Sequence, residues 1–217
     1  MTGTPSGLNC GLRERKKAKR RLALHQAAVQ LIERNGYEAT TVAQIAASAE
    51  VSPRTFFSYF PSKEAALFAP LDDAITRLEA ELATAPSEGD VLSFVRARVT
   101  ELTANGGPLG HRASRVLDNL AEGNEHIFGH ALSYLNRISQ ALSRALREEL
   151  GCRVDDALPD IAAAATIAAL SATMPGGQDF PRNGRRAARL EPVTVESIER
   201  DFDRAIAFTR AGIAATR

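Results

Sequence analysis

Apolar residues recur at spacings of three and four along most of this chain, which is the period of amphipathic helices. The first clear stripe runs from Leu24 to Ile32, and Gly36 follows it where a helix C′ residue belongs. After residue 62 we find no alternation with the period of two that marks a half-buried strand. The pattern therefore predicts an all-α protein with about nine helices.

Further stripes predict the helices of the C-terminal part. They run over residues 67–82, 91–102, 113–120 and 127–146, followed by an Ala-rich segment at 156–173 and a closing helix at 195–215. Pro70 should kink or break the first of these helices, because proline has no N–H to donate. Gly and Pro residues lie between the stripes, as expected of connecting loops.

Residues 41–60, TVAQIAASAEVSPRTFFSYF, contain two short helical patterns joined by a tight turn. Thr41 is a good N-cap, and Gln44 completes a capping box with it. Ser52 is a second N-cap, with Pro53 at the first helical position, where its missing N–H costs nothing. Two short helices joined in this way form the helix-turn-helix that reads DNA.

The second helix of this motif has an apolar arc and a polar arc. The apolar arc, which we expect to face the core, holds three aromatic residues: Phe56, Phe57 and Phe60. The polar arc holds two hydroxyls between a guanidinium and a phenol: Arg54, Thr55, Ser58 and Tyr59. Arginine can pair with guanine, Ser and Thr can meet either kind of base, and a phenol suits a phosphate oxygen. This surface is typical of one that reads DNA.

The run RRLALHQAAVQLIERNGYEATTVAQIAASAEVSPRTFFSYFPSKEAALF, at residues 20–68, resembles the N-terminal domain of the tetracycline-repressor (TetR) family of bacterial transcription regulators. The resemblance implies a DNA-binding head of three helices, a helical ligand-binding body and a homodimer. One departure is Glu50, which stands in the turn where the family often has Gly. A non-Gly residue at positive φ is uncommon, so we expect this turn to be strained or differently shaped.

The resemblance also implies which residues meet DNA. Thr40 and Thr41 would touch phosphates at the start of the second helix. The major groove would be faced by five residues around the third helix: Ser52, Pro53, Arg54, Thr55 and Ser58. Tyr59 and Lys63 would grip the backbone. Lys63 begins a helix, where a cation opposes the helix dipole, and a facing phosphate would explain its presence.

Charge is distributed unevenly, although the formal net charge is only +1. Residues 1–66 hold 10 Lys/Arg against 5 Asp/Glu, whereas the remainder holds 17 against 21. Seven of the nine residues in Arg13–Arg21 are basic. Such a run can be a solvated helix face or a disordered tail. Beside a helix-turn-helix we favour an arm that reaches phosphates or the minor groove.

These observations predict three regions. Residues 1–11 are expected to be a disordered tail, residues 12–62 a helix-turn-helix DNA-binding domain, and residues 63–217 a helical ligand-binding and dimerisation domain. Two lone cysteines fit a reducing cytosol, and no apolar stretch is long enough to span a bilayer, so we expect a cytoplasmic, nucleoid-associated protein without a membrane partner. We expect no cofactor and no metal, because the pair His126 and His130 lacks further ligands.

Polar residues interrupt the apolar stripes of the predicted body. Arg98 lies in the middle of one stripe, Tyr134 lies within another, and His130 lies at its edge. An inward-facing Arg must be paired, either by a neighbouring carboxylate or by a ligand anion. A mostly apolar pocket with a few polar groups is typical of small-molecule sites. The candidate effector-binding residues are Phe94, Arg98, Val116, Leu120, His130 and Tyr134.

The last two predicted helices are the candidate dimer interface. Residues 161–172 are nearly all small, and small residues let helix backbones approach closely. The closing helix carries one continuous apolar stripe: Ile198, Phe202, Ala205, Ile206 and Thr209. Both helices could instead cover their own core, but the family resemblance favours a four-helix interface. The Arg-rich segment 175–194 between them has the composition of a solvated loop.

We therefore expect a homodimeric repressor that binds double-stranded, pseudo-palindromic operator DNA and is released by a small-molecule effector. One alternative is an architectural DNA-binding protein without an effector, although DNA binding alone does not require such a long body. Another is an enzyme, but the sequence has no nucleophile elbow, Gly-rich phosphate loop or metal-ligand cluster.

Overall fold

The computed structural model describes residues 7–84, 90–104, 125–173 and 195–216, and in these ranges it is all-α. Its helices are α1 (Gly7–Asn35), α2 (Val42–Ser48), α3 (Pro53–Phe57), α4 (Lys63–Leu67), α5 (Ala69–Ala83), α6 (Val91–Ala104), α7 (Glu125–Leu150), α8 (Leu158–Thr173) and α9 (Val195–Thr216). The predicted fold class is confirmed. The helix predicted at 113–120 lies outside the described residues, as does the segment 175–194.

The chain divides into two compact units, Met1–Ala69 and Pro70–Arg217, which we call the head and the body. The sequence predicts this boundary at residue 62, ahead of the helix that Ser62 caps. The helix it caps, α4, instead belongs to the head, where Ala66 is fully buried in the core. The predicted tail at residues 1–11 also differs, since α1 begins at Gly7. Residues 1–6 lie outside the described residues.

The helix ends of the motif form as their sequences predict. The side chain of Thr41 accepts from the Gln44 N–H at 3.2 Å, and the Gln44 side chain accepts from the Thr41 N–H at 2.8 Å. Ser52 accepts from the Thr55 N–H at 3.1 Å, with Pro53 at the first position of α3. Helices this short are marginal in water, so their caps and their packing must hold them.

The head core joins one face of each of its helices. Its buried members are Leu24, Ala27, Ala28, Ile45, Ala46, Phe56, Phe60, Ala66 and Ala69. Phe56 is fully buried and Phe60 is 2% exposed, with their ring centroids 5.8 Å apart. These two rings fix which side of α3 faces outward.

Phe57, which we expected in this core, is 56% exposed, so that prediction is wrong. It lies about 100° around the helix from Phe56, at the edge of the apolar arc. The helix also ends here, because the Tyr59 N–H donates to the Phe56 carbonyl three residues back. This tighter turn carries Phe60 inward and leaves Phe57 outside.

The body buries its own apolar core between α5, α6, α7, α8 and α9. Helix α8 packs against both α7 and α9, and α9 also packs against α6. The largest fully buried side chains of this core are Leu82, Val95, Leu142, Leu146 and Phe202. Arg137 of α7 binds carboxylates of α5 at its edge, with 2.6 Å to both Asp72 and Glu79.

The stripe predicted as the dimer interface belongs to this core. Phe202, Ala205, Ile206 and Thr209 are at most 8% exposed, and the Thr209 hydroxyl lies 3.2 Å from that of Thr166 on α8. The side chain of Ile198 lies outside the described residues. Helix α9 has to supply an apolar face to both α6 and α8, and this stripe is that face. The interface prediction is therefore corrected for these residues.

Glu50 has φ +55°, so the strained turn expected from the sequence is present. A non-Gly residue in the left-handed region costs about 1–2 kcal/mol. We expect Glu50→Gly to relieve this strain. The gain in stability is reduced by roughly 0.4–1 kcal/mol, because Gly gives the unfolded chain more conformational freedom. Hydrogen exchange of the α2 and α3 amides should show slower local opening. Glu50→Ala, which keeps the strain, is the control, and faster exchange in Glu50→Gly would contradict the prediction.

Candidate nucleic-acid interface and effector site

The outward face of α3 carries Arg54, Phe57 and Ser58, all exposed. No described residue forms an ion pair with Arg54. The Ser58 hydroxyl donates to the Thr55 carbonyl at 2.6 Å, so its oxygen is left as an acceptor towards solvent. Ser52 and Thr55 place their hydroxyl oxygens 3.0 Å apart at the start of the helix. The face therefore offers a guanidinium, an aromatic ring and hydroxyl oxygens on a fixed helix.

Thr41 and Thr40, which are both predicted to contact phosphates, lie in different surroundings. Thr41 is exposed at the start of α2, as a phosphate contact requires. Thr40 is 1% exposed, and its hydroxyl donates to the Gly36 carbonyl at 2.8 Å. Its side chain closes the turn between α1 and α2 and has no surface to offer DNA. Tyr59 is half-buried against the head core.

Lys63 belongs to a hydrogen-bonded cluster within the head, which we call the clamp and which also contains Tyr37, Thr40 and Glu64. Its Nζ donates to the carbonyls of Tyr37 at 2.8 Å and Thr40 at 3.2 Å, and it lies 3.8 Å from the centre of the Tyr37 ring. These two carbonyls and the ring explain a cation at the start of α4 without a phosphate. Only one of the three ammonium donors is left for DNA, so the expected backbone contact becomes a secondary role.

Tyr37 and Glu64 complete the clamp, because the Tyr37 hydroxyl donates to the Glu64 carboxylate. Burial, followed by the neighbouring Glu64, raises the pKa of Tyr37, so the hydroxyl keeps its proton. Burial alone would raise the pKa of Glu64. Hydrogen bonds from Ser62 and Tyr37, together with the charge of Lys63, outweigh that effect and lower it. The clamp thus holds one cation and one anion at the junction of α1, α2 and α4.

Arg98 is paired by carboxylates of its own body. Its Nη1 lies 2.5 Å from Glu101, and its Nε lies 2.9 Å from Glu81 in an ionic contact without hydrogen-bond geometry. The bond from Glu101 and the charge of Glu81 raise the pKa of the guanidinium. Arg98 is not among the residues that line the cleft between the start of α6 and the ends of α7 and α9. Of the two partners considered for Arg98, the carboxylate is the correct one, and the ligand-orienting role is withdrawn.

Tyr134 and His130 are brought together on α7. Tyr134 is 5% exposed, its hydroxyl lies 3.2 Å from the His130 Nε2, and the two rings meet edge to face at 5.2 Å. Phe94 is half-buried against the body core. Val116 and Leu120 lie outside the described residues. The pair therefore remains the polar part of the candidate effector site.

A cleft of 340 Å³ lies elsewhere, between the start of α6 and the ends of α7 and α9. Its floor is apolar, and its rim carries Asp90, Glu149 and Arg210. Arg210 binds Asp90 at 2.7 Å, and Glu149 accepts from the Val91 N–H at 3.1 Å. Burial alone would raise the pKa of Asp90, but the bonds from Arg210 and Ser93 lower it. Each charged group of this cleft thus has a protein partner already.

The sequence does not predict two features of the structure, the exposure of Phe57 and the carboxylate partners of Arg137. Phe57 could have been questioned because it lies at the edge of the apolar arc. The sequence pattern gives no indication of the Arg137 cluster, since its partners Asp72 and Glu79 are distant in sequence.

Among the described residues, no group of three or more His, Cys, Asp or Glu side chains could hold a metal ion. No described helix combines the length and apolar character needed to cross a membrane.

This geometry defines a helix-turn-helix DNA-binding protein. Residues 24–69 match the family model described as bacterial regulatory proteins, tetR family. The HTH-type transcriptional regulator TcmR of Streptomyces glaucescens is 33% identical over 165 residues, which cover 70% of this chain and 69% of TcmR. The chain belongs to the TetR family of bacterial transcription regulators and is a regulator rather than an enzyme.

Solved structures share the fold. SmeT, the repressor of the Stenotrophomonas maltophilia multidrug efflux pump SmeDEF, matches in its complex with triclosan with a TM-score of 0.56 and 20% identity, over 89% of this chain and 91% of SmeT. A transcriptional regulator from Rhodococcus sp. Rha1 matches with a TM-score of 0.50 and 20% identity, over 88% of this chain and 96% of its own.

Replacing Lys63 by Met should destabilise the head. The change removes two hydrogen bonds from a charged donor, each worth roughly 1.5–3 kcal/mol in full burial and less at this half-buried position. Thermal unfolding without DNA should show the loss. Lys17→Met, on an exposed part of α1, is the control and should leave stability unchanged. Unchanged stability in Lys63→Met, with weaker binding to every DNA sequence, would assign Lys63 to phosphate instead.

Proposed function

We propose that this protein is a homodimeric repressor whose two heads read successive major grooves of an operator and whose body releases the DNA when it binds a small molecule. The observation that carries the proposal is the outward face of α3. Arg54, Phe57 and Ser58 are exposed on a helix whose opposite side is locked into the head core by Phe56 and Phe60.

The chemistry of this face suits base edges. Arg54 can donate two parallel hydrogen bonds to the O6 and N7 of a guanine. Ser58 presents an oxygen acceptor, which suits the amino group of adenine or cytosine. Phe57 is an exposed aromatic ring, and burying such a ring against a thymine methyl is favourable, because a fully buried Phe side chain gains about 1.5–3 kcal/mol.

Phosphate contacts would position this face in the groove. Thr41 lies at the exposed start of α2, and its hydroxyl, which donates to the Gln44 Oε1 at 3.1 Å, can turn to donate to a phosphate instead. Tyr59 follows α3 and can donate its phenolic hydroxyl to the same strand. Thr40 and Lys63 support these contacts from inside, by fixing the turn that leads into α2.

Substitutions on α3 should separate sequence preference from general affinity. We expect Arg54→Ala and Phe57→Ala each to lower affinity for the selected operator by about 1–3 kcal/mol, or roughly 5- to 150-fold. Binding to random duplex should change much less. Fluorescence anisotropy on both duplexes measures the ratio, with Ala47→Ser on the exposed side of α2 as a control. Equal losses on operator and random DNA would remove the residue from the base-reading set.

The homodimer is proposed to form through the outer faces of α8 and α9. Opposite their core stripes, both helices expose alanines and one large apolar side chain. Ile161 is 64% exposed on α8, and Phe208 is 74% exposed on α9. Exposed apolar side chains of this size mark interaction surfaces when they cluster. The family resemblance favours these two helices as the interface, and the described core leaves this face for it.

Phe208→Asp should therefore give monomers, because an aspartate in an apolar interface loses its hydration. Monomers should bind the operator poorly, since only one head is then held on the DNA. Val154→Asp is the matched control, because Val154 is 92% exposed in the segment between α7 and α8. Analytical ultracentrifugation measures the mass. A Phe208→Asp protein that remains dimeric would exclude this face.

The effector site is proposed around Tyr134 and His130 on α7. The pair offers a hydroxyl and a ring nitrogen beside apolar surface, which suits a small, largely apolar molecule with one polar group. SmeT, which shares this fold, has been solved in a complex with triclosan, and this supports the proposal of a small-molecule effector. An effector would act by binding one spacing of the heads more tightly than the other, because only differential affinity shifts a population.

Effector binding can be found by thermal shift with a panel of apolar phenols and related compounds. We expect at least one to raise the Tm and to release operator DNA. Tyr134→Phe should lower the affinity for that compound by about 2- to 13-fold, as expected for one lost hydrogen bond. Gln140→Ala on the exposed side of α7 is the control. Compounds that stabilise the protein but leave operator binding unchanged would contradict the proposed release.

A further inference from the structure

The first helix extends well beyond the core that the head provides. Its buried positions begin at Leu24, whereas all of residues 11–20 are exposed. At about 1.5 Å per residue, these ten residues form a helical extension roughly 15 Å long. We call residues 11–21 the basic extension. It is helical, whereas the sequence alone is also compatible with a disordered tail.

Most cations of the basic extension share one side of the helix. At about 100° per residue, Arg13, Lys16, Lys17 and Arg20 fall within an arc of about 100°. Two further cations, Arg15 and Lys19, lie on the opposite side. The only carboxylate of the extension is that of Glu14, outside the arc. The four cations therefore form a continuous basic stripe.

Arg21 connects this stripe to α3, the helix whose outward face is proposed to read DNA. Its guanidinium carbon lies 4.6 Å from the centre of the Phe60 ring, in a cation–π contact. Phe60 follows α3 directly and anchors it in the head core. The C-terminal end of the basic extension thus lies beside the C-terminal end of α3, and both belong to the head.

The extension has little reason to be helical in isolation. Like charges three and four residues apart destabilise a helix by about 0.2–0.5 kcal/mol per pair, and the stripe contains several such pairs. A polyanion along the stripe would remove this penalty.

We propose that the basic extension binds the phosphate backbone of the DNA that flanks each half-site. This inference rests on the proposed function, since it extends the same DNA surface. A helix is about 10–12 Å across with its side chains, whereas the minor groove is about 6 Å wide. The extension therefore lies on phosphates rather than inside the minor groove. It adds affinity and salt dependence without adding sequence preference.

Two double substitutions in the full-length protein test this proposal. Lys16→Gln with Arg20→Gln removes two charges from the stripe, and Arg15→Gln with Lys19→Gln removes two charges at the same spacing from the opposite side. Kd is measured against KCl concentration, on the selected operator with long flanks and on the same operator with trimmed flanks. The slope of log K against log salt counts the phosphate contacts, at about 0.9 per contact.

We expect the stripe variant to reduce the magnitude of this slope by about 1–2 per subunit on the long duplex. The opposite-side variant should change it much less, and wild type should lose the same slope when the flanks are trimmed. Equal changes in both variants, or no change in either, would overturn the proposal. Wild type that prefers no DNA sequence at all would instead overturn the proposed function.

Discussion

The burial of Phe56 and Phe60 is the constraint on which the rest of the head depends. Helix α3 has five residues and could not persist in water without tertiary packing. The two rings fasten one side of it to α1 and α2, so the other side must face outward. Arg54, Phe57 and Ser58 face outward because Phe56 and Phe60 are committed to the core.

Two side chains that the family resemblance assigns to DNA, those of Thr40 and Lys63, have hydrogen-bond partners inside the head. Thr40 and Lys63 hold the turn between α1 and α2, and Tyr37 with Glu64 completes their hydrogen bonds. Breaking such a part-buried charged cluster costs more than a surface contact would, because its carbonyls and carboxylate would lose their partners. These residues hold the turn that leads into α2.

Local signals in the sequence were sufficient for the head and insufficient for the body. The caps at Thr41 and Ser52 follow from chemistry within four residues, whereas the strained turn at Glu50 was indicated by the family resemblance, and all three are present. The partner of Arg98 on α5 and the inner face of α9 depend on tertiary packing. Helix α9 exposes Phe208 on the side away from its core stripe, so periodicity alone could not assign one side to the core and the other to a partner.

The central claim is that the outward face of α3 reads base edges as part of a dimer. Selection of bound sequences from a random duplex library with the purified wild-type protein tests it most directly. The account predicts enrichment of a pseudo-palindrome containing guanine and thymine in each half, with half-sites about 34–36 Å or a multiple of that apart. A bound pool with no enriched sequence would contradict it.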